Sequence, residues 1–571
     1  ADDTVITGTL DINEGADQVA SIQLSDLTTP VASLMSDGQP ISLVLSSSLN
    51  GVNVYQGIAG NPAEVVFELT LDATDNSYEF DLQKPLDHPD GNQQNTIVID
   101  LPVTATDNDG DTSPVFTLPI SVVDDVPVVT QIDSLQVDED DLPLGSDSPK
   151  EPLTVSGEFE VTSADGIDSF VLDLSTNPVP NLKSGGEDVT ISPDASASTA
   201  DALVYIGQTA NGATVFTLTL HQDGKYDFEL SGQLDHAVNS DQILLNLPVQ
   251  ITDGDNDTIT ATLPVTIVDD KPTIDAIRPG SILSVDEDDI PSEGSDTTPE
   301  SNVIGGNFDV TDGADSIVSF QLDSLTSPVS GLKSGGQSLE LVEFSNANGV
   351  VEYRAYVQGT TDTVFKLTLN GSADSYEFEL LGALDHPSGS DQNSLVINFP
   401  VNATDFDGDV SNNITLPITV VDDVPAIIKV ADTSEQTVDE DDLPGGSDTT
   451  SGDSRVLNGG FDVVDGADEI VSYQISDLDA VVSGLTSNGL DLELKPLPSA
   501  GGVTGYEAVI AGTSTQIFTL TLDANNDSYQ FELLGPLDHA AVQGENTLTI
   551  DIPITVTDYD GDTSASLNLP I

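Results

Sequence analysis

Residues 97–111 read IVIDLPVTATDNDGD. The apolar residues Ile97, Ile99, Leu101, Val103 and Ala105 recur at every second position, the period of a strand that buries one face. The run then breaks into an acidic, turn-forming loop. Working outward, Phe116, Leu118, Ile120 and Val122 repeat the pattern downstream, and Phe67, Leu69 and Leu71 repeat it upstream. Pro102 lies inside the first run, as do Pro248, Pro400 and Pro553 in similar runs, which predicts edge strands or bulges there. No segment sustains a helical period. Many short alternating strands separated by Asp, Gly, Ser and Asn clusters predict an all-β chain of antiparallel β-sandwiches.

The acidic loop recurs, as TDNDGD from Thr106, TDGDND from Thr252, TDFDGD from Thr404 and TDYDGD from Thr557. Leu-Asp-His recurs at Asp87, Asp235, Asp385 and Asp538, spaced by 148, 150 and 153 residues. A Val/Ile-Val-Asp-Asp linker carries Asp124-Asp125, Asp269-Asp270 and Asp422-Asp423. VDEDD begins at Val137, Val285 and Val438, and a Gly-Ala-Asp-type loop ends at Asp17, Asp168, Asp315 and Asp468. Landmarks returning in one order mark internal repeats. The expected units are 1–124, lacking an opening segment, 125–269, 270–422, and 423–571, lacking a closing linker. They would join end to end as an extended rod, and the chain reads as a piece of something longer.

The 571 residues hold 12 Lys plus Arg against 99 Asp plus Glu, a formal net charge of -87. That sign excludes nucleic acid and anionic membrane surfaces as partners. It does not imply disorder, because 37% of residues are hydrophobic and fall in alternating runs. Cysteine is absent, so neither disulfides nor thiolate metal sites are available. No run approaches ~18 apolar residues, so no spanning helix is expected. The first residues, ADDTVITGTL, carry no signal-peptide pattern.

Strand direction can be counted through the second unit, because ~10 residues at ~3.3 Å cross a small sandwich. The count places the opening acids and the Leu-Asp-His loop at one end, and the Gly-Ala-Asp and Asp-x-Asp-x-Asp loops at the other. Each boundary then gathers the far-end acids of one unit, the linker aspartates and the near-end acids of the next. Carboxylates so concentrated repel unless neutralised, and hard cations with six to eight oxygen ligands relieve this. Calcium suits flexible all-oxygen loops better than magnesium.

The candidate ligands are Asp107, Asp109, Asp111, Asp253, Asp255, Asp257, Asp405, Asp407, Asp409, Asp558, Asp560 and Asp562 from the Asp-x-Asp-x-Asp loops. The linkers add Asp124, Asp125, Asp269, Asp270, Asp422 and Asp423. The opening turns add Asp138, Glu139, Asp140, Asp286, Glu287 and Asp288. The Gly-Ala-Asp-type loops add Asp165, Asp168, Asp312, Asp315, Asp465 and Asp468, and the Leu-Asp-His loops add Asp87, Asp235 and Asp385. A single Asp-Gly turn is usually just solvated; five landmarks converging on each boundary argue for cations. Neither the helix-loop-helix calcium motif nor the Gly-rich nonapeptide is present.

VDEDDLP, LDHP, TDFDGD and VVDDVP resemble the calcium-dependent tandem extender repeats of giant type I-secreted bacterial RTX adhesins, and the resemblance covers the whole chain. It implies immunoglobulin-like or cadherin-like sandwiches stiffened by Ca2+, on a secreted or cell-surface protein serving adhesion or biofilm formation. Its partners would be calcium ions and neighbouring repeats, with a monomeric chain. A looser similarity to cadherins implies ligand roles for Glu139, Asp235, Asp269-Asp270 and Asp405-Asp407. Departures are His in place of Arg after the Leu-Asp, a linker shorter in acids, and the shifted Gly of TDGDND.

The leading expectation is a structural extender; the alternative is repeats that bind sugar, ice or another cell directly. An enzyme is not expected. Adjacent Asp and His on an extended chain point to opposite faces, and His88, His236, His386 and His539 read as loop-capping residues.

Overall fold

A computed structural model describes residues 4–571 except 90–93, 176–180, 239, 292, 296–300, 388–391, 432–436, 448–454 and 541–545. Two compact units emerge, Ala1–Asp270 with Gly313–Asp315, and Lys271–Asp312 with Ser316–Ile571. Each holds two β-sandwiches. No helix among the described residues is long and apolar enough to cross a membrane.

In the first unit, the complete sandwich shows why the alternation works. Its smaller sheet runs Leu135–Asp138, Thr258–Val268, Gln242–Asp253, Ile167–Leu172, and its larger one has seven strands from Val128–Ile132 to Lys183–Ser184. Gln242–Asp253 and Thr258–Val268 pair antiparallel from Gln242↔Val268 to Thr252↔Thr258. Their alternate residues Leu245, Leu247, Val249, Leu263, Val265 and Ile267 are fully buried. The pairing is antiparallel apart from the opening strand, which lies parallel to Thr258–Val268. The sandwich ahead of it has a five-stranded and a three-stranded sheet.

The second unit repeats the plan. Ser284–Asp286 lies parallel to Ile414–Val421, and the large sheets again have seven strands each. Among the described residues, apolar cores form around Phe67, Phe216, Phe365 and Phe518, one per sandwich. Each of these rings lies against a second phenylalanine, with centroids 5.0 Å apart for Phe67–Phe80, 5.2 Å for Phe216–Phe228 and Phe365–Phe378, and 5.0 Å for Phe518–Phe531.

The four prolines sit in inner strands rather than at edges, correcting the sequence expectation. Their carbonyls accept from Ser25, Asp173, Asp323 and Ser476 at 2.8–3.0 Å, one residue beyond the neighbouring strand's end. A strand residue's N–H and C=O point to the same side, so the missing N–H faces this last rung of the ladder and costs only its reciprocal bond. Phe116 likewise departs from its expected inward position and is exposed.

A recurring tie escaped the sequence reading. The buried hydroxyls of Tyr55, Tyr205, Tyr353 and Tyr506 accept from the backbone N–H of Leu24, Leu172, Leu322 and Ile475 at 3.0–3.1 Å. In Tyr205→Phe the buried Leu172 N–H loses its acceptor, a cost of about 1–3 kcal/mol. Calorimetry should show that sandwich melting several degrees lower; an unchanged transition would mean water replaces the hydroxyl.

Candidate cation-binding site

The Asp-x-Asp-x-Asp loops follow a strand end, and the first aspartate folds each loop around itself. Asp107 Oδ1 accepts from the N–H of Asp109, Gly110 and Asp111 at 3.3, 3.0 and 2.9 Å. Asp253 does so from Asp257 at 2.7 Å, and Asp405 and Asp558 from Asp409 and Asp562 at 2.8 Å. The fifth position is left-handed, with φ of +96°, +104° and +105° at Gly110, Gly408 and Gly561. Asn256 occupies it at φ +72°, so the loop's fold survives the displaced glycine of TDGDND. Gly254 serves a different need there, since a Cβ would stand 2.5 Å from the Asp165 carbonyl oxygen.

In the first unit, the linker carboxylates face this loop. Asp124, Asp255 and Asp257 present oxygens within 4.8 Å of one another, as do Asp124, Asp125 and Asp165. Asp124, Asp253, Asp255 and Asp257 are buried, whereas Asp109 and Asp111, at the far end of the preceding sandwich, are exposed. Both oxygens of Asp255, and Oδ1 of Asp124, meet no hydrogen-bond donor. Burial first, then neighbouring carboxylates, pushes Asp165 up to about 8 and Asp253 up to about 7. Burial and the Asp255 and Asp257 charges raise Asp124 to about 6 against the pull of His88.

The second unit builds the same arrangement from Glu287, Asp422, Asp468, Asp558, Asp560 and Asp562. Asp422 is fully buried, and burial with the facing Asp562 pushes it up to about 9. Burial, then Glu287, Asp560 and Asp558, raises Asp468 to about 8. Burial and Asp560 raise Asp558 to about 7. Asp560 Oδ2 accepts from the His386 N–H at 3.0 Å, tying the loop of one sandwich to the Leu-Asp-His loop of the other. The Asp405, Asp407, Asp409 loop of this unit has Lys271 Nζ 3.7 Å from Asp409.

Several candidates have other tasks. Asp87, Asp235 and Asp385 accept from the backbone N–H of Gly38, Gly186 and Gly336, clasping a hairpin tip. Asp138 and Asp286 cap the short turns Glu139–Asp141 and Glu287–Asp289 by accepting from Asp140 and Asp288; burial pushes Asp140 and Asp288 up to about 6. Asp270 and Asp423 accept from Ser146 and Ser295 N–H at 2.9 and 2.8 Å. Asp168, Asp312 and Asp465 are exposed.

Asp125 accepts from Ala164 N–H at 2.8 Å as Asp423 does from Ala467 at 3.0 Å, so Ser-Ala-Asp165, not Asp-Gly-Ile-Asp168, corresponds to Gly-Ala-Asp468. Asp315 is 1% exposed, as a member of that series.

The histidines are what the sequence reading undervalued. His88, His236 and His386 hold their loops, His236 Nδ1 lying 2.9 Å from the Leu234 carbonyl, and they are also buried beside acids. His236 Nδ1 lies 3.2 Å from Asp269 and 3.9 Å from Glu139, and His386 Nε2 lies 3.4 Å from Glu287. Burial pulls the His386 imidazole down, but Glu287 and Asp422 outweigh it and push it up to about 9. Beside Glu287 and Asp422 the imidazole is placed to act as an internal cation, and the three side chains present ligand atoms within 4.8 Å of one another. Asn95 and Asn393 Nδ2 donate to Asp124 and Asp422 at 3.0 and 2.9 Å while their Oδ1 meets the histidine. The constant seven-residue spacing of His88–Asn95, His386–Asn393 and His539–Asn546 was the available signal.

The donor set fits a hard cation. The groups facing the linker are carboxylate oxygens, several buried without a donor, with buried imidazoles beside them in the groups Glu139–His236–Asp269 and Glu287–His386–Asp422.

Two stretches match one family model. They are residues 2–115 and 282–416, and the model is described as a "Domain of unknown function (DUF5801)". No curated protein matches the chain. Among solved structures, it is similar to protocadherin gamma B2 extracellular cadherin domains 1–5, at 11% identity over 93% of this chain and 72% of that one, with a TM-score of 0.22. Drosophila N-cadherin EC1-3 gives 11% over 78% and 98%, with 0.21. Sidekick-1 immunoglobulin domains 1–5 give 10% over 99% and 80%, with 0.22.

Proposed function

We propose that this chain is the extender region of a secreted bacterial surface adhesin, four tandem sandwiches stiffened by calcium to hold distal binding domains away from the cell. One observation carries the reading. Asp422, Asp468 and Asp558, from segments far apart in sequence and from both sandwiches of one unit, are buried at 0, 6 and 1% exposure among like charges. Such a cluster is costly unless a cation bridges it. A cation there fastens one sandwich to the next, which is what a load-bearing spacer needs and a solvated turn does not. Extracellular modules of this kind bind calcium at ~0.1–1 mM, so the chain would load outside the cell. The proposed role is non-catalytic.

Small-angle scattering at matched ionic strength tests it. Calcium should narrow the distribution of maximum dimensions, and chelator should broaden it. Magnesium should substitute poorly, because it keeps its waters. Equal distributions in calcium and chelator would overturn the spacer reading.

A further inference from the structure

Three side chains from remote segments of the third sandwich meet beneath its surface. Glu287 opens the short turn Glu287–Asp289, His386 ends the Leu-Asp-His tripeptide, and Asp422 begins the linker. They are 0, 5 and 0% exposed, and each offers a ligand atom within 4.8 Å of the other two. Carboxylates alone would make no site; here an imidazole nitrogen is aimed among them.

The neighbours of the ring decide which nitrogen carries its hydrogen. Asn393 Nδ2 donates to Asp422 Oδ2 at 2.9 Å and to the Pro387 carbonyl at 3.3 Å, so the amide oxygen is the atom that meets His386 Nδ1 at 3.1 Å. An amide oxygen only accepts, so Nδ1 holds a hydrogen and the neutral ring carries its lone pair on Nε2. That Nε2 lies 3.4 Å from Glu287 Oε1 yet makes no hydrogen bond, and neither do Glu287 Oε2 and Asp422 Oδ1. Two ligand atoms on one tetrahedral zinc, with bonds of about 2.0–2.1 Å, stand roughly 3.3 Å apart. Asn393 fixes the ring's tautomer and occupies one oxygen of Asp422, as the supporting partners of metal ligands do, and leaves the other oxygen for an ion.

We propose that Glu287, His386 and Asp422 bind a transition-metal dication of the zinc class. The site shares Asp422 with a calcium cluster and differs from it by its nitrogen ligand. Imidazole suits zinc and its neighbours, whereas calcium takes oxygen. Three protein ligands leave a fourth position for water. Zinc takes the place that a proton holds on the metal-free ring, and binding releases that proton. The ion clamps the opening turn, the Leu-Asp-His loop and the closing linker of one sandwich, a staple in a chain without cysteine. Glu139, His236 and Asp269 form a like group in the second sandwich, but there Nδ1 faces both Asp269 and the Leu234 carbonyl, so the assignment is confined to His386. Zinc binding is independent of the spacer role: its failure would leave the effect of calcium on the scattering distribution untouched, and the reverse holds as well.

The probe is zinc chloride, titrated calorimetrically into the full chain in metal-free buffer and in millimolar calcium, which fills the all-oxygen sites. His386→Gln should remove one equivalent of zinc in both buffers, and Asn393→Ala should weaken that equivalent about 10–100-fold. Nitrogen NMR of the wild-type chain, labelled in its five histidines, needs no variant to fold. Zinc should move the Nε2 resonance of a histidine whose Nδ1 keeps its hydrogen. The site is overturned if no histidine nitrogen responds to zinc, or if His386→Gln binds as many equivalents as the wild type. Zinc binding that millimolar calcium abolishes would also overturn it, by assigning these residues to calcium alone.

Discussion

In chelator, the melting temperature should fall as pH rises from about 5 to about 9, and calcium should abolish the fall. Free aspartate titrates near ~3.9. In the folded chain Asp124 is held near about 6, Asp253 and Asp558 near about 7, Asp165 and Asp468 near about 8, and Asp422 near about 9. Between the unfolded and folded values the folded state holds more protons, so stability declines with pH across that window. His386, raised to about 9 from about 6.5, adds in the same direction, since its contribution is complete below the lower value and lost through the higher. Calcium replaces those protons at neutral pH. A site held at about 100 times its Kd adds about 2.7 kcal/mol, and each kcal/mol moves the midpoint of a domain this size by about 2–4 °C. With more than one site per unit the gain at pH 8 should be on the order of 10 °C. Differential scanning calorimetry at pH 5, 7 and 9 decides it. Melting that climbs with pH in chelator, or ignores calcium at pH 8, would falsify the cation reading of these clusters.

Asp422→Asn should have opposite effects in the two conditions. The amide keeps an oxygen for Asn393 Nδ2 and removes a fully buried carboxyl, facing Asp562 and Asp560, that can be buried only by taking up a proton or a cation. In chelator the Lys271–Ile571 unit should therefore melt several degrees higher. In calcium the same change deletes an oxygen ligand between two sandwiches, and at least half of the calcium-induced gain should disappear. Asp168→Asn, at an exposed carboxyl apart from the cluster, should leave both transitions within about a degree. A destabilised Asp422→Asn in chelator would mean that the carboxylate is already paired without a metal.

These two experiments bear on residues that the sequence singled out, and the reason they could be singled out is physical. Period-two alternation along Ile97–Ala105 determines which face is buried whatever the neighbours are. Repetition of TD-x-D, Leu-Asp-His and Val-Asp-Asp determines that one packing solution is used again and again. Charge determines that any partner of the acids is cationic. The fold class and the pool of candidate carboxylates were legible because they depend on local periodicity and spacing.

The tertiary structure alone decided which acids meet. Asp165 rather than Asp168 faces the linker because Ala164 N–H donates to Asp125, a contact across 39 residues that no local spacing reveals. His386 becomes a charge partner for Glu287 because the opening turn and the Leu-Asp-His loop, almost a hundred residues apart, close at one end of a sandwich. Pro102 sits in an inner strand because its neighbour stops one residue short, a fact of register and not of composition. Local sequence sets how each residue is presented; only the assembled sheets set what it faces, since burial and electrostatic coupling depend on distances between segments remote along the chain.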